Sequence, residues 1–269
     1  MNRDPIEPSW LKRHDLAVEL ARQAGQIQRE RYETKLDIRT KSAPIDLVTE
    51  VDGACETLII EGIRKVEPED AILAEEGGGD DHPDAEWRWI IDPLDGTTNF
   101  AHGFPRFCVS IGLEHHDQTV IGVIYDPLLD ELFQAVRGAG AWLGTRRLRV
   151  SGEQKIGQAL VATGFAYDVH RSAQDNLEEF GRVLKATRGL RRDGSAALDL
   201  CYVASGRLDA YWEMKLNAWD VAAGNLMVEE AGGEVSAADG GPAPRDGSEV
   251  VASNGALHEK ILDLVRPSR

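Results

Sequence analysis

Apolar residues recur at helical spacing in the first quarter of the chain. Over residues 10–32 they fall every three or four positions with charged residues between them, which predicts an amphipathic helix. A second helix is predicted over residues 52–66, where leucine and isoleucine side chains would face inward. The stretch between the two helices, KSAPIDLVTEVD at 41–52, is short, polar and contains proline.

Short apolar runs after the second helix predict strands. Residues 71–74 form a buried run that leads into two glutamates and three glycines, and residues 86–91 form another. The second of these strands is expected to end at Asp92-Pro93, because proline cannot continue the ladder of hydrogen bonds. From about residue 107 to residue 150, apolar runs alternate with turn residues, which indicates an antiparallel meander.

The pattern changes after Ser151, where helices and strands alternate. Strands are predicted at 159–165, 208–213 and 250–254, and helices at 175–187, 195–205, 220–231 and 257–265. No internal repeat is present, and no linker rich in glycine, serine or proline divides the chain. We therefore predict an N-terminal lobe (1–150) and a C-terminal lobe (151–269) that form one integrated unit, with helices layered on sheets.

Composition narrows the class of function. The 269 residues are 42% hydrophobic and 28% charged, which excludes a collagen-like, low-complexity or disordered chain. The 46 acidic residues outnumber the 30 basic ones, and the net charge of −16 opposes a general nucleic-acid or anionic-membrane binder. Acidity suits a protein that holds divalent cations, although most of these charges are expected to be solvated. No apolar run approaches the roughly 20 residues that span a bilayer.

The cysteines and the N-terminal segment indicate the cellular location of the protein. Cys55, Cys108 and Cys201 are far apart and odd in number, so neither a disulfide framework nor a zinc site is expected. The segment MNRDPIEPSWLKRHD contains no apolar core of a signal peptide. Both features favour a cytoplasmic protein.

The densest chemical signal is the segment WIIDPLDGTTNF, at 89–100. Asp92 and Asp95 lie on one tight turn, where uncompensated carboxylates would repel each other and one would protonate. Mg²⁺ would remove this conflict, because it takes carboxylate, carbonyl and water oxygens. A helix beginning near Gly96 would add free N–H groups and make an anion site beside the cation. By itself the segment is equally consistent with a plain turn, since Asp-Pro and Asp-Gly are common turn dipeptides.

Two further carboxylates favour the metal-site interpretation over the plain turn. Glu75 closes a short buried strand just before the glycines, and such a residue is a reasonable ligand, although alone it is more often solvated. Asp220 follows Trp219 and opens a predicted helix, where alone it is more readily an N-cap than a ligand. Taken together, these carboxylates and a helix N-terminus suggest a phosphate held beside metal ions.

The motifs AEE, WIIDPLDGTTNF and AWDVAAG, in this order, resemble the inositol monophosphatase family of Mg²⁺-dependent, lithium-sensitive phosphatases. The resemblance covers nearly the whole chain, from the segment at 41–52 through GSAA at 194–197 to Gly233. It implies an α+β fold, a layered αβαβα sandwich, which is usually a homodimer in this family.

The family pattern implies metal-binding roles. Glu75, Asp92 and the backbone carbonyl of Leu94 would hold a first Mg²⁺. Asp92, Asp95 and Asp220 would hold a second, with Asp92 bridging the two ions. Glu75 would also help position a third, more weakly held ion.

The same pattern implies how the reactants are placed. Gly96 and Thr97 would donate backbone N–H groups to the phosphate. The Thr97 hydroxyl, oriented by Asp52, and the Glu75 carboxylate would align the attacking water. Glu213 would bind a hydroxyl of the substrate's ring. The other substrate-binding residues implied are Gly194, Ser195 and Ala196, together with Leu94, Asp95 and Asp220 from the metal site.

The expected activity is hydrolysis of inositol monophosphate with two or three Mg²⁺ ions. A histidinol-phosphate phosphatase, a fructose-1,6-bisphosphatase or an adenosine-bisphosphate phosphatase would share the metal site. Glu213-Met214 favours a neutral polyol over a substrate with a second phosphate, but a carboxylate could also accept the amine of histidinol phosphate. A regulatory or docking protein on this fold would be marked by lost metal ligands, and the sequence keeps them all. The expected partners are a small phosphate monoester and a second copy of the chain, without nucleic acid or membrane.

Other charged residues lie near the motifs or resemble ligands, and their roles stay open. His115-His116 lies at a predicted hairpin end, where a solvated turn is favoured over a metal site. Arg191-Arg192 could lie on the surface, at a dimer interface or near the substrate, and Lys41 is as consistent with a solvated position as with one near the site. Asp193 is less usual for the family and would add negative charge beside the presumed pocket.

Overall fold

The computed structural model of the protein describes residues 7–82 and 84–266. The start of the segment expected to lack a signal peptide, and the outermost residues of the two predicted lobes, lie outside the described residues. The helices are α1 (Pro8–Arg31), α2 (Glu50–Val66), α3 (Thr97–Ala101), α4 (Leu177–Ala186), α5 (Ala196–Ala204), α6 (Ala218–Glu230) and α7 (His258–Val265). A single 3₁₀ turn is formed at Ile156–Gln158.

The strands form three sheets. Their bounds are β1 (Ile38–Thr40), β2 (Leu47–Thr49), β3 (Ala71–Ala74), β4 (Trp87–Asp95), β5 (Cys108–His115), β6 (Gln118–Asp126), β7 (Glu131–Val136), β8 (Gly140–Leu143), β9 (Arg146–Arg147), β10 (Leu160–Thr163), β11 (Gly189–Arg191), β12 (Ala210–Met214), β13 (Glu234–Ser236) and β14 (Glu249–Ser253). A seven-stranded sheet runs in the order β3-β4-β5-β6-β7-β8-β9, and a five-stranded sheet in the order β11-β10-β12-β14-β13. Strands β1 and β2 form a separate hairpin.

Helices and sheets stack in five layers. Helices α1 and α2 cover one face of the seven-stranded sheet, with Ala17 and Ile59 packed in one cluster with Trp89. Helices α5 and α6 lie between the two sheets, and α4 and α7 cover the outer face of the five-stranded sheet. This order confirms the predicted αβαβα sandwich of the α+β class.

Glycines allow the middle layer to pack closely. A Cβ atom on Gly224 of α6 would lie 2.5 Å from Leu200 of α5, and one on Gly122 of β6 would lie 2.7 Å from the backbone oxygen of Ala223. The glycine of the WDVAAG motif therefore brings α6 against α5, which places the first turn of α6 beside the end of β4.

Three predicted element boundaries were wrong near the densest motif and its partners. Strand β4 does not stop at Asp92, because a bulge accommodates Pro93 and pairing resumes at Asp95, opposite Cys108. The predicted helices 52–66 and 220–231 begin two residues earlier, at Glu50 and Ala218. In both helices the aspartate predicted as the first residue lies in the first turn instead.

Short strands were missed because they carry little apolar pattern. Strands β1 and β2 have three residues each and pair only with each other, and β11 and β13 are equally short. The three cysteines are buried and free. Within residues 7–82 and 84–266, no helix combines the length and the apolar character needed to cross a membrane.

Candidate metal and phosphate site

Three carboxylates from distant parts of the chain converge at the end of β4. Oxygen atoms of Asp92, Asp95 and Asp220 lie within 4.8 Å of one another. Asp92 and Asp95 flank the bulge of β4, and Asp220 projects from the first turn of α6. The bulge bends the chain between the two aspartates, so both side chains face the same space.

Asp92 is the most enclosed member of this cluster. Its side chain is 2% exposed, and its Oδ1 accepts a hydrogen bond of 2.9 Å from the amide of Leu94. Burial raises the pKa of Asp92 well above its ordinary value, and the charges of Glu75, Asp95 and Asp220 raise it further. A carboxylate in this position is costly to ionise unless a cation joins it.

Asp220 caps helix α6 and also belongs to the carboxylate cluster. It is the third residue of α6, and its Oδ2 accepts a 2.7 Å hydrogen bond from the amide of Asn217, the N-cap. Burial raises the pKa of Asp220 well above its ordinary value, and Asp95 and Glu75 add to the rise. The two interpretations of Asp220 left open by the sequence are therefore compatible, since the capping bond orients the carboxylate toward β4.

Asp95 ties the end of β4 to the start of α5. Its Oδ2 accepts hydrogen bonds from the Ser195 hydroxyl at 2.6 Å and from the Ala197 amide at 2.8 Å. Burial raises the pKa of Asp95 to about 6, and these two hydrogen bonds limit the rise. Ser195, Gly194 and Ala196 line the same cleft, and the Ser195 hydroxyl holds Asp95 in place.

Glu75 reaches the cluster from the turn after β3. Its amide donates to the carbonyl of Ile91 at 3.2 Å, directly before Asp92. The Lys41 ammonium group lies 2.8 Å from Glu75 and bonds Glu76 as well. Burial raises the pKa of Glu75, while Lys41 lowers it. Lys41 is thus the ammonium group that partly neutralises this edge of the cluster.

A short helix places backbone donors beside the carboxylates. Gly96 is the N-cap of α3 and has a left-handed backbone (φ 97°) that disfavours other residues. A Cβ atom at Gly96 would also lie 2.8 Å from the carbonyl oxygen of Arg106. Because the first amides of a helix lack intrahelical acceptors, those of α3 can serve an anion held there.

The Thr97 hydroxyl is held by a buried carboxylate. It donates to Asp52 Oδ1 at 2.8 Å and lies 3.0 Å from the carbonyl oxygen of Leu94. Asp52 in turn caps α2, because its Oδ2 accepts the amide of Thr49 at 2.9 Å. Burial raises the pKa of Asp52, and its hydrogen bonds oppose that rise.

The donor set suits a hard divalent cation. Asp92, Asp95, Asp220 and Glu75 offer carboxylate oxygens, which Mg²⁺ prefers. The carboxylates are buried together, and they raise one another's pKa. That arrangement is unfavourable by itself and becomes favourable when positive charge is supplied, so the residues present fit the metal that the motifs imply.

The other side of the cleft is formed by the five-stranded sheet. Glu213 of β12 lies in the cleft, which has a volume of ≈ 240 Å³, and it accepts the Tyr211 hydroxyl. Burial raises the pKa of Glu213 to about 7, while Tyr211 and the nearby Arg192 lower it. A Cβ atom on Gly164 would lie 2.0 Å from Glu213 Oε2, so any larger residue there would displace this carboxyl group.

The structure shows which group lies against the Asp193 carboxylate, whose negative charge was expected to add to the pocket. Its carboxylate lies 3.7 Å from the guanidinium of Arg106, which also pairs with the buried Asp199 at 3.1 Å and stacks on Tyr202. Arg106 therefore offsets part of the negative charge of Asp193, and it shares its own charge with Asp199. Sequence reasoning missed this arginine, and nothing in its local sequence marks it.

The histidine pair lies away from this cleft. His115 stacks on Trp87 at 4.0 Å, and ligand atoms of Glu86, His115 and His116 lie within 4.8 Å of one another. Trp87 begins β4 and pairs with His115, whereas the carboxylate cluster is at the other end of the strand. This group is therefore separate from the cluster. His102 Nδ1 donates a local hydrogen bond of 2.8 Å to the carbonyl oxygen of Thr98.

The raised pKa values predict a pH-dependent response to cations. Asp95 titrates at about 6 in the folded protein and near 4 when unfolded, so its ionisation opposes folding increasingly as the pH rises between these values. A cation must displace the same protons. The rise in Tm caused by Mg²⁺ should be small at about pH 5 and larger at about pH 7.5. Calorimetry at both pH values checks this, and an equal rise at both would contradict it.

Comparisons with known proteins agree with this geometry. The model of the inositol monophosphatase family matches residues 11–269. The chain is 47% identical over 224 residues to an inositol-1-monophosphatase of Synechocystis, covering 83% of this chain and 78% of the relative. It is 41% identical over 254 residues to the Nus factor SuhB of Pasteurella multocida, covering 94% and 95%. The solved inositol monophosphatase of Anabaena has a TM-score of 0.86 at 41% identity, with 95% and 96% coverage.

Proposed function

This chain belongs to the inositol monophosphatase family of metal-dependent phosphatases, and from that premise we propose that it hydrolyses inositol monophosphate to inositol and phosphate with Mg²⁺. The observation that carries the proposal is the convergence of Asp92, Asp95 and Asp220 beside the start of α3. A cluster of carboxylates next to helix amides joins a cation site to an anion site, which is the requirement of a phosphate ester hydrolase.

We propose the following roles for the residues of the cluster. Glu75, Asp92 and the Leu94 carbonyl hold one Mg²⁺, Asp92, Asp95 and Asp220 hold a second, and Glu75 contributes to a third. When bound, such ions supply charge neutralisation and activation of water in phosphoryl chemistry. The protein's own task is to hold the carboxylates at the right separation, through the bulge of β4, the capping bond of Asp220 and the Ser195 hydroxyl on Asp95.

Thr97 and Asp52 orient the attacking water in this proposal. Because the Thr97 hydroxyl donates its hydrogen bond to Asp52, its lone pairs are left to accept a hydrogen bond from water. Glu75 lies on the same side as Asp92 and provides a second acceptor. The two acceptors together fix the direction of attack, which is worth several kcal/mol in reactions governed by positioning.

The phosphate and the leaving group occupy the remaining space. The Gly96 and Thr97 amides donate to phosphate oxygens, and no side chain stands in their way because residue 96 is glycine. Glu213 faces the leaving group and accepts a ring hydroxyl.

A substrate panel tests this function. Purified protein with Mg²⁺ is assayed on inositol 1-phosphate, histidinol phosphate, fructose 1,6-bisphosphate and adenosine 3′,5′-bisphosphate. The proposal expects the highest kcat/KM for inositol 1-phosphate, and loss of turnover with a chelator. A higher value for another ester would transfer the assignment to that substrate. Absence of turnover on all four would favour a regulatory role instead.

The substitution Glu213→Gln should change substrate choice more than chemistry. Its carboxyl group is expected to touch the leaving group, so the change should raise KM for inositol 1-phosphate about tenfold and alter kcat much less. A generic aryl phosphate, which lacks the ring hydroxyls, serves as the control substrate and should be nearly unaffected. If both substrates lose equally, Glu213 supports the fold or the metal site and does not select the substrate.

A further inference from the structure

A buried glutamate outside the motifs holds the turn that carries Glu75. Glu56 lies on α2, one helical turn after Asp52, and is 4% exposed. Its Oε2 accepts a 2.8 Å hydrogen bond from the amide of Glu76, and its Oε1 accepts one of 2.8 Å from the amide of Gly78. Both oxygens of this side chain are thus used on a turn from another part of the chain.

The hydrogen bonds of Glu56 hold the backbone on one side of Glu75. The amide of Glu75 bonds to Ile91 of β4, and the next amide, that of Glu76, bonds to Glu56 of α2. Two consecutive peptide groups are therefore tied to two different layers of the fold. The backbone of Glu75 cannot rotate without breaking one of these bonds, so the point from which its side chain reaches the cluster is set, and Lys41 contacts the carboxylate itself.

The glycine run after Glu76 fits this arrangement. A Cβ atom on Gly78 would lie 2.7 Å from Glu56 Oε1, and one on Gly79 would lie 2.2 Å from the carbonyl oxygen of Ile72. The turn passes so close to the glutamate and to β3 that side chains at these two positions would push it away. Close approach to Glu56 gives a reason for glycine at position 78.

From this geometry we propose that Glu56 is a positioning residue for the cation site, an inference that rests on the proposed function. Helix α2 then presents two buried carboxylates, four residues apart, to the two groups that flank the water. Asp52 orients Thr97, and Glu56 orients Glu75 through the backbone of the turn. Glu56 itself does not touch the reactants.

The test compares Glu56→Gln with Glu61→Gln, the same substitution on the same helix at an exposed position. A glutamine amide can accept only one of the two backbone N–H groups and points a donor at the other. In the metal-free protein, hydrogen exchange at the Glu76 and Gly78 amides should be at least about tenfold faster in Glu56→Gln. The Mg²⁺ concentration for half-maximal activity on an aryl phosphate should rise about tenfold, with kcat at saturating Mg²⁺ and KM within about twofold.

Two more variants separate positioning from charge and from folding. Glu56→Asp keeps the charge but is one methylene shorter, so it should behave like Glu56→Gln. Gly78→Ala disturbs the same contact from the turn and leaves the core of α2 intact, and it should also raise the Mg²⁺ requirement. The proposal would be overturned if Glu56→Asp and Gly78→Ala showed the same exchange rates and the same Mg²⁺ requirements as Glu61→Gln. A wild type that hydrolyses no phosphate ester would instead refute the proposed function, and exchange in the metal-free proteins would still decide the role of Glu56.

Discussion

The substitution Asp92→Asn is expected to lower kcat by several orders of magnitude while the protein stays folded. Asp92 is the carboxylate assigned to two Mg²⁺ ions, so its neutralisation weakens both, and activation by metal ions supplies much of the rate acceleration of such a reaction. The amide keeps an oxygen for the bond from the Leu94 amide. Because Asp92 is buried with a strongly raised pKa, removal of its charge should leave the metal-free Tm equal to or above that of the wild type.

A matched control for this substitution is available in the same sheet. Asp126 ends β6, is 2% exposed, and its Oδ1 accepts the amides of Leu128 and Leu129. Asp126→Asn therefore changes a buried aspartate of similar local geometry outside the carboxylate cluster. Steady-state kinetics at saturating Mg²⁺ should show near wild-type turnover for this control. Turnover within about tenfold of wild type in Asp92→Asn would rule out the metal assignment.

The second large effect is expected from Asp220→Asn, in the response to Mg²⁺. In the proposed site, an ion shared by Asp220 and the end of β4 would link α6 to the seven-stranded sheet. At 100 times its Kd, an ion that binds only the folded protein stabilises it by about 2.7 kcal/mol, which corresponds to about 5 °C in Tm for a chain of this size. Asp220→Asn should lose most of this rise and should lower kcat/KM at least about a hundredfold.

The metal-free protein distinguishes the two roles of Asp220. Asparagine can still accept the Asn217 amide, so the cap of α6 survives, and the loss of a repelling charge should keep the metal-free Tm equal or raise it. Asp175→Asn is the control, since Asp175 lies outside the cluster, is half-buried and accepts the amide of Leu177 at the start of α4. Melting curves with and without Mg²⁺ are recorded for all three proteins. A full Mg²⁺ shift in Asp220→Asn would remove this residue from the proposed metal site.

The resemblance of motifs named residues that the structure brings together, but it did not give their arrangement in space. The sequence treated Asp92 as the end of a strand, because proline lacks an amide donor. In the fold, the bulge removes the need for that donor, and Pro93 instead offers its carbonyl to Gln28 of α1 at 2.8 Å. Such compensation between distant segments leaves no trace in local sequence patterns.

Helix starts illustrate a second limit of sequence reasoning. Asp52 and Asp220 were each predicted to begin a helix, and each lies in the first turn, bonded back to the N-cap amide. A Thr or Asn followed three residues later by an acidic residue is the general pattern of a capping box, and it was available in the sequence. What the pattern could not show is that the Asp220 carboxylate faces the cleft and that the Asp52 carboxylate holds Thr97, because that depends on how α2 and α6 pack.

The sequence by itself determined the elements with strong periodicity, the class of fold and the residues of the candidate site. Apolar spacing identifies helices such as α1 and strands of the meander, because burial of one face is a local requirement. Tertiary structure decided the bulge of β4 and the salt bridges of Arg106. It also decided the close contact of Gly164 with Glu213, and the hydrogen bonds from the turn that bears Glu75 to Glu56. These contacts join segments far apart in the chain, such as Asp92 and Asp220, which are 128 positions apart (220 − 92). Their energies depend on distances between layers, and only the packing of the five layers sets those distances.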